Sequence, residues 1–260
     1  MKQVTASVIS NNEVMPGVHL VWLESPQIAS TTQPGQFVMV RCGEGFKHPL
    51  RRPLSIHQLA DSSKLAFLFN VVGKGTHWLA KCQAGDNIDL LGPLGNGYSI
   101  HPESHNLLLL AGGIGIAPLR FLAQAALRRR YSVRLLLGAS TANQLYPGRL
   151  LPPEAELIIA TEDGTAGKKG MITDLLPDFA DWADQVFACG PMLMYRDMAL
   201  RKQELKLKDK PVQVSLEVRM GCGRGVCYGC TVKTKRGLKQ VCQDGPVFDL
   251  EDVLWDELSY

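Results

Sequence analysis

The sequence predicts an α/β protein with an added all-β part. An N-terminal antiparallel β-barrel is followed by a doubly wound parallel sheet and a small C-terminal domain built around cysteines. Three observations carry this reading. The first hundred residues hold only short apolar runs separated by turn signals. Beyond residue 102, strand-length apolar runs alternate with helical periodicity. Four of the seven cysteines then crowd between 222 and 242. The 260 residues divide accordingly into 1–101, 102–212 and 213–260.

In the first part, apolar stretches recur at 4–9, 18–23, 36–41, 54–59, 65–71 and 87–91. Pro34-Gly35, Ala84-Gly85-Asp86 and Gly92-Pro93 punctuate them. No long 3.6-residue period runs through them, so a small barrel or sandwich is expected. In the second part, 107–111 is a continuous apolar strand and 116–130 has helical period, with Pro118 tolerated in the first turn. Segments 133–137, 157–160 and 186–188 repeat the buried-strand type, and 171–179 and 191–207 suit helices. The third part begins near Lys210-Pro211. A strand is expected at 213–218, then a Gly- and Cys-rich loop, a hairpin from 231–234 and 238–242, and an apolar, acidic tail over 247–255.

Composition excludes several classes. Charged residues are 20% and hydrophobic residues 45%, ordinary for a globular protein. The net charge is only +3, and the densest basic run, Arg128-Arg129-Arg130, closes a predicted helix, where cations suit the macrodipole. It reads as a solvated helix end, not as a nucleic-acid surface. Met1-Lys2-Gln3-Val4-Thr5 has no signal-peptide core, and no run approaches the ~20 apolar residues that span a bilayer. A cytoplasmic protein is expected, with neither nucleic acid nor membrane as partner. The unevenly placed cysteines argue for one metal or cluster site in a reducing compartment, against a disulfide scaffold.

Cys222, Cys227, Cys230 and Cys242 follow the C-x4-C-x2-C…C spacing of plant-type [2Fe–2S] proteins. Two irons need four converging thiolates. Gly221, Gly223, Gly225 and Gly229 let one loop wrap tightly enough to supply three of them. The alternative is zinc, which favours paired C-x2-C knuckles, and only one such pair is present. A second motif, Gly112-Gly113-Ile114-Gly115, stands between a strand and a helix, where N–H groups and the helix dipole suit a pyrophosphate. It resembles G-x-G-x-x-G without matching it. Cys189-Gly190-Pro191-Met192 follows a later strand, so glycines cluster at two strand C-terminal ends. In the barrel, Arg51-Arg52-Pro53-Leu54-Ser55 and Val71-Val72-Gly73-Lys74-Gly75-Thr76 suit a diphosphate and a flavin edge; each alone also reads as a surface turn.

Taken in order, these motifs resemble the ferredoxin–NADP reductase superfamily. Ser215-Leu216-Glu217-Val218-Arg219-Met220-Gly221-Cys222 through Thr234, and Val241-Cys242-Gln243-Asp244-Gly245-Pro246-Val247-Phe248, narrow the match to electron-transfer subunits of type B dihydroorotate dehydrogenase. The resemblance spans essentially the whole chain. It implies a flavin-binding barrel, a nicotinamide-binding α/β domain and a [2Fe–2S] domain. It implies FAD on Arg52, Pro53, Leu54, Ser55, Leu68, Phe69, Asn70, Gly75 and Thr76. It implies NAD on Gly112, Gly113, Gly115, Cys189, Gly190 and Pro191, and the cluster on Cys222, Cys227, Cys230 and Cys242. Thr161-Glu162-Asp163-Gly164, Gly170 and Thr173-Asp174 also resemble a family segment. Asn70 departs from an expected basic residue, and Arg224 from an expected small apolar one.

Under that resemblance the chain is an oxidoreductase subunit of pyrimidine biosynthesis. Electrons from dihydroorotate oxidation at an FMN-containing catalytic subunit would pass through [2Fe–2S] and FAD to NAD+, in a heterotetramer with two copies of each chain. No side chain here need act as a catalytic acid, base or nucleophile; the cofactors carry the chemistry. Two other readings stand beside it. One is a reductase subunit serving a hydrogenase, a sulfite reductase or another redox partner. The other is a non-catalytic iron–sulfur adaptor. The 138–142 segment has no Arg to read a 2′-phosphate, while Arg149 keeps NADP open. His48, His57, His77, His101 and His105 show no metal spacing and read as surface or packing. Cys42 and Cys82 read as apolar fillers. Cys189 suits either packing or a place near the nicotinamide. Trp22, Trp78, Trp182 and Trp255 read as core, and Phe248 with Trp255 as either a partner surface or a packed tail.

Overall fold

The computed structural model describes residues 1–43 and 49–258; His48 lies outside them. β1 (Lys2–Met15) and β2 (Val18–Glu24) form a hairpin that turns at Gly17, whose φ of +71° suits a residue without Cβ. A single turn, α1 (Pro26–Ala29), leads to β3 (Phe37–Val40), β4 (Arg52–Leu59), β5 (Lys64–Asn70), α2 (Lys74–Ala80) and β6 (Asn87–Leu94). The strands close a six-stranded barrel in the order β1-β2-β5-β4-β3-β6, antiparallel throughout. Val38, Val40, Ile56, Phe67 and Leu90 fill it. β1 is longer than its apolar stretch suggests. Irregularities after Val8 and Glu13 let it pair along β2 while its first half also pairs with β6.

The second unit runs β7 (Asn106–Gly112), α3 (Ile116–Arg128), β8 (Ser132–Ala139), β9 (Glu156–Thr161), β10 (Lys168–Lys169), α4 (Leu176–Ala180), β11 (Gln185–Cys189), α5 (Met192–Leu200) and β12 (Val212–Ser215). The chain enters the sheet centrally at β7, moves outward through β8 and β9, then returns to β11 on the other side. That reversal between β7 and β11 is a topological switch point, where open α/β sheets bind ligands beyond their strand C-terminal ends. α3 packs between barrel and sheet, with Ile116, Leu119 and Leu122 in one core with Leu20 and Leu68.

Two expected helices are shorter than their patterns. The 171–179 segment begins as a 3-10 turn, Ile172–Leu175, and only then becomes α4. α5 stops at Leu200; the chain beyond it goes into turns, with Lys206 at φ +56°.

The third part holds the hairpin β13 (Thr231–Thr234) and β14 (Gly237–Gln240), the one-turn α6 (Val241–Asp244), and β15 (Val247–Asp249). The strand expected to run through Cys242 ends at Gln240, and Cys242 sits on α6. β12 lies beside β11, and β15 pairs antiparallel with β12 at the edge of the same sheet. The expected 212/213 boundary therefore falls inside a sheet strand. Met220, Cys230, Val232, Val241 and Trp255 share one core with Leu108, Val186 and Val214 of the sheet and Phe37 and Met39 of the barrel. So short a segment buries too little apolar surface to hold itself together alone.

Candidate functional site

The cysteine loop leaves β12 and passes under the barrel. Gly223 and Gly225 have φ of +68° and +75°. A Cβ on Gly223 would stand 2.5 Å from Met39 Cγ, so the loop can sit this close only because a glycine is there. Cys227 is exposed, Cys222 is partly so, and Cys230 and Cys242 are buried. Among the described residues, no three His, Cys, Asp or Glu side chains converge as on one metal ion. The thiols meet in pairs, Cys222 with Cys227 and Cys230 with Cys242. Two thiolates per iron suit a two-iron cluster, whereas one structural zinc gathers four ligands about a point.

Backbone N–H groups aim at the sulfurs. Arg224 N donates to Cys222 Sγ (3.3 Å), Gly225 N to Cys242 Sγ (3.1 Å) and Cys242 N to Cys230 Sγ (3.4 Å). Partial burial opposes ionisation of Cys222, but the backbone N–H of Arg224, the Cys227 side chain and the N–H groups of Cys227 and Val226 bring its pKa down to about 6. Burial and the adjacent Cys230 push Cys242 up to about 12.

Beside this loop, a cavity of about 660 Å³ opens in the barrel wall. Arg52, Pro53, Leu54, Ser55, Leu68, Phe69, Asn70 and Thr76 line it, and so do 215–220 from the chain leading into the cysteine loop. Two distant motifs meet here. A Cβ on Gly75 would lie 3.0 Å from Arg52 Nε, so glycine admits the guanidinium over the start of α2. That places a cation beside the first turn of α2, the kind of charge a diphosphate needs. Thr76 does local work: its hydroxyl accepts from Val72 N (3.0 Å) and Gly73 N (3.1 Å) and donates to Gly73 O (3.1 Å). Arg51 is occupied with Asp89, through two 2.9 Å bonds. Phe69 packs into the barrel core, stacked on His19.

A second cavity, of about 900 Å³, lies at the switch point. Gly112, Gly113 and Pro191 line it, while Gly115, Cys189 and Gly190 stand behind it. The reason is packing. A Cβ on Gly115 would fall 2.0 Å from the Cys189 carbonyl oxygen, and one on Gly190 2.7 Å from Met194 Cε. These glycines let the two loops close on each other. Gly113, at φ +54° with open space around it, faces the cleft.

Cys189 is buried, its thiol 3.8 Å from both Ser215 O and Glu217 Oε1, and burial raises its pKa well above the ordinary thiol value. It is a packing residue beneath the cleft.

Sequence reading weighed 138–142 only for a missing Arg and did not place the rest of the far wall. Ser140, Thr141, Asn143, Gln144 and Tyr146 line the cleft from the segment after β8. Their position beyond a strand C-terminal end was the available signal. Glu162, at the end of β9, faces the cleft and accepts from Ser140 Oγ at 2.9 Å. Thr161 and Asp163 instead bind their own loop, at Ala166 O and Thr165 N. Among the described residues, the charged side chains lining this cleft are Glu162 and Asp197, both acidic, and Arg149 is not among the lining. Such a cleft suits a ribose diol and repels a 2′-phosphate.

The two cavities share Leu68, Asn70, Val72 and Ile114 as a common wall. Cys42 and Cys82 are buried, with thiol pKa values pushed up to about 11 chiefly by burial, as expected of fillers. Trp255 is buried with Nε1 donating to Leu250 O (2.8 Å), and Phe248 packs on Gly245, so this pair forms a packed tail.

Comparison with known proteins agrees with this layout. Residues 217–254 match the iron–sulfur cluster binding domain of dihydroorotate dehydrogenase B. Electron transfer subunits of dihydroorotate dehydrogenase B (NAD(+)) from Desulforamulus reducens and Bacillus mycoides are 39% and 33% identical, each over 98% of this chain and 99% of the relative. A solved chain of an NADH-dependent reduced ferredoxin–NADP oxidoreductase, studied for flavin-based electron bifurcation, superposes with a TM-score of 0.86. It is 33% identical, over 97% of this chain and 91% of that one. A ferredoxin NADP+ reductase from Neisseria gonorrhoeae, with bound FAD and NADP, shares the fold. Its TM-score is 0.65 at 20% identity, over 79% of this chain and 92% of that one.

Proposed function

Since this chain belongs to the family of electron-transfer subunits of dihydroorotate dehydrogenase B, we propose that it carries electrons from dihydroorotate, oxidised on a separate FMN-containing catalytic subunit, to NAD+. The pathway served is pyrimidine biosynthesis in the cytoplasm, and the assembly is a heterotetramer of two copies of each subunit. The observation that supports this reading best is the order of the three sites. The nucleotide cleft shares a wall with the barrel cavity, and residues 215–220 of that cavity run directly into the cysteine loop.

In this reading Arg52, Pro53, Leu54, Ser55, Leu68, Phe69, Asn70, Gly75 and Thr76 hold FAD. Gly112, Gly113 and Pro191 hold the nicotinamide nucleotide, with Gly115, Cys189 and Gly190 shaping the backbone beneath. Cys222, Cys227, Cys230 and Cys242 hold the [2Fe–2S] cluster. A flavin between the other two sites exchanges hydride on one side and single electrons on the other. The chain's own residues bind and orient. Arg52 supplies charge to a diphosphate, the N–H groups of Arg224 and Gly225 stabilise charge on sulfur, and Glu162 favours a ribose over its phosphorylated form.

The test is co-purification with the candidate catalytic subunit, followed by assay of NAD+ reduction by dihydroorotate. A stable complex that carries FAD and a [2Fe–2S] signal and reduces NAD+ is expected. Flavin-free preparations would leave only an iron–sulfur adaptor. The 33% identity and 0.86 TM-score to the ferredoxin–NADP oxidoreductase chain favour one second reading, a reductase subunit with a different redox partner. NADH-reducible flavin without any dihydroorotate-dependent turnover in the complex would select it.

A further inference from the structure

His57 lies on β4, the strand that also carries Arg52, Pro53, Leu54 and Ser55 of the barrel cavity. Its side chain is fully buried. Nδ1 is 2.9 Å from the Ala117 carbonyl oxygen, and Nε2 is 2.9 Å from the Tyr146 hydroxyl. A carbonyl oxygen only accepts, so Nδ1 carries the hydrogen. In the neutral ring Nε2 then accepts, and Tyr146 donates to it. Burial favours that neutral ring. The His57 and Tyr146 rings also meet edge-on, with centroids 5.4 Å apart.

The two partners belong to the walls of the two adjoining cavities, Ala117 to the barrel cavity and Tyr146 to the nucleotide cleft. Ala117 opens α3 immediately after the glycine loop, while Tyr146 lines the cleft from the segment after β8. One barrel side chain therefore grips both. We propose that His57 is a positioning residue for hydride exchange, fixing the glycine loop and the Tyr146 segment at one distance from the flavin-bearing strand. This rests on the assignment of FAD to the barrel cavity and of NAD to the cleft. Hydride exchange needs its reacting atoms at about 3–3.5 Å, and about 1 Å of misplacement can cost roughly a hundredfold in rate.

The experiment uses the holoprotein with its flavin and cluster, and three variants. Tyr146→Phe keeps the ring but removes the donated hydrogen. His57→Leu removes both bonds, and His57→Gln keeps a donor and an acceptor. In stopped flow, flavin reduction by NADH is expected to slow about tenfold in Tyr146→Phe and further in His57→Leu, with NADH affinity within about twofold and most of the rate retained in His57→Gln. Amide hydrogen exchange is expected to accelerate in 113–118 and 141–147 of Tyr146→Phe, with the barrel strands unchanged.

Unchanged flavin reduction and unchanged exchange in Tyr146→Phe would overturn the proposal. So would exchange that accelerates equally throughout the chain, which marks a general loss of stability. If the wild-type flavin is not reduced by NADH, the cofactor assignment fails instead, and the exchange pattern alone decides whether the grip exists.

Discussion

The His57 ring makes stability pH-dependent in a calculable way. Burial is the main cause of a folded-state pKa near 3; the Ala117 carbonyl opposes that shift and Arg120 reinforces it. In the unfolded chain the ring titrates near its ordinary value of about 6.5. The folded state binds the proton less well, so the contribution is fully present above pH 6.5 and is lost as pH falls towards 3. At about 1.36 kcal/mol per pKa unit, lowering pH from about 7.5 to about 5.5 costs the folded state on the order of 1 kcal/mol through this ring alone. For a chain of this size that corresponds to about 2–4 °C in melting temperature. The assay compares wild type with His57→Gln at both pH values, by urea midpoint or thermal melt. Other titrating groups act equally on both proteins, so the wild type should lose about 1 kcal/mol more than the variant. Equal losses would refute the buried neutral ring.

Four further outcomes follow from the site. Cys227→Ser is expected to abolish or strongly weaken the reduced [2Fe–2S] EPR signal, while Cys82→Ser, at a buried filler, leaves it intact. Arg52→Ala should release FAD on gel filtration or dilution, with affinity down roughly 10- to 100-fold for a lost charge-assisted contact of about 1.5–3 kcal/mol. Glu162→Gln should improve kcat/KM for NADPH relative to NADH about fivefold, because one nearby like charge is worth on the order of 1 kcal/mol in a solvated cleft, and Glu162→Arg should improve it further. Gly115→Ala would drive a Cβ to 2.0 Å from the Cys189 carbonyl oxygen. It is expected to cost about 1–3 kcal/mol in a melt and to weaken NADH binding, as the two loops are forced apart.

What could be read from the sequence was local. The candidate cluster ligands stand out because three cysteines and their glycines lie in one loop, and the strand–glycine–helix pattern points to the cleft within a few residues. Pairings between distant segments were out of reach. Nothing in the sequence says that Gly75 exists to admit Arg52, or that Gly115 and Gly190 serve loop-to-loop packing while Gly113 faces the cleft. His57 reads as one more packing histidine until Ala117 and Tyr146 are seen on either side of it. Glu162 stood out only as part of a segment; the third dimension shows that its neighbours Thr161 and Asp163 are turned into their own loop. The same limit hides that the expected break before residue 213 falls within a strand, Val212–Ser215. A short apolar strand looks alike whether it starts a new domain or completes an old sheet, and β12 does the latter.

That placement of β12 bears on how current could flow. β15 zips onto β12, β12 onto β11, and β11 ends at the loop behind the nucleotide cleft. The cysteine loop is strung between two neighbouring rungs of this ladder, with Met220 already in the barrel-cavity wall. The arrangement is a soldered junction rather than a swinging arm: the spacing between the barrel cavity and the cysteine loop is set by hydrogen-bonded backbone, so under the proposed function the tunnelling gap would not depend on a domain finding its partner. Lengthening the 216–221 approach by a few glycines should therefore slow flavin-to-cluster transfer while leaving both ends individually reducible.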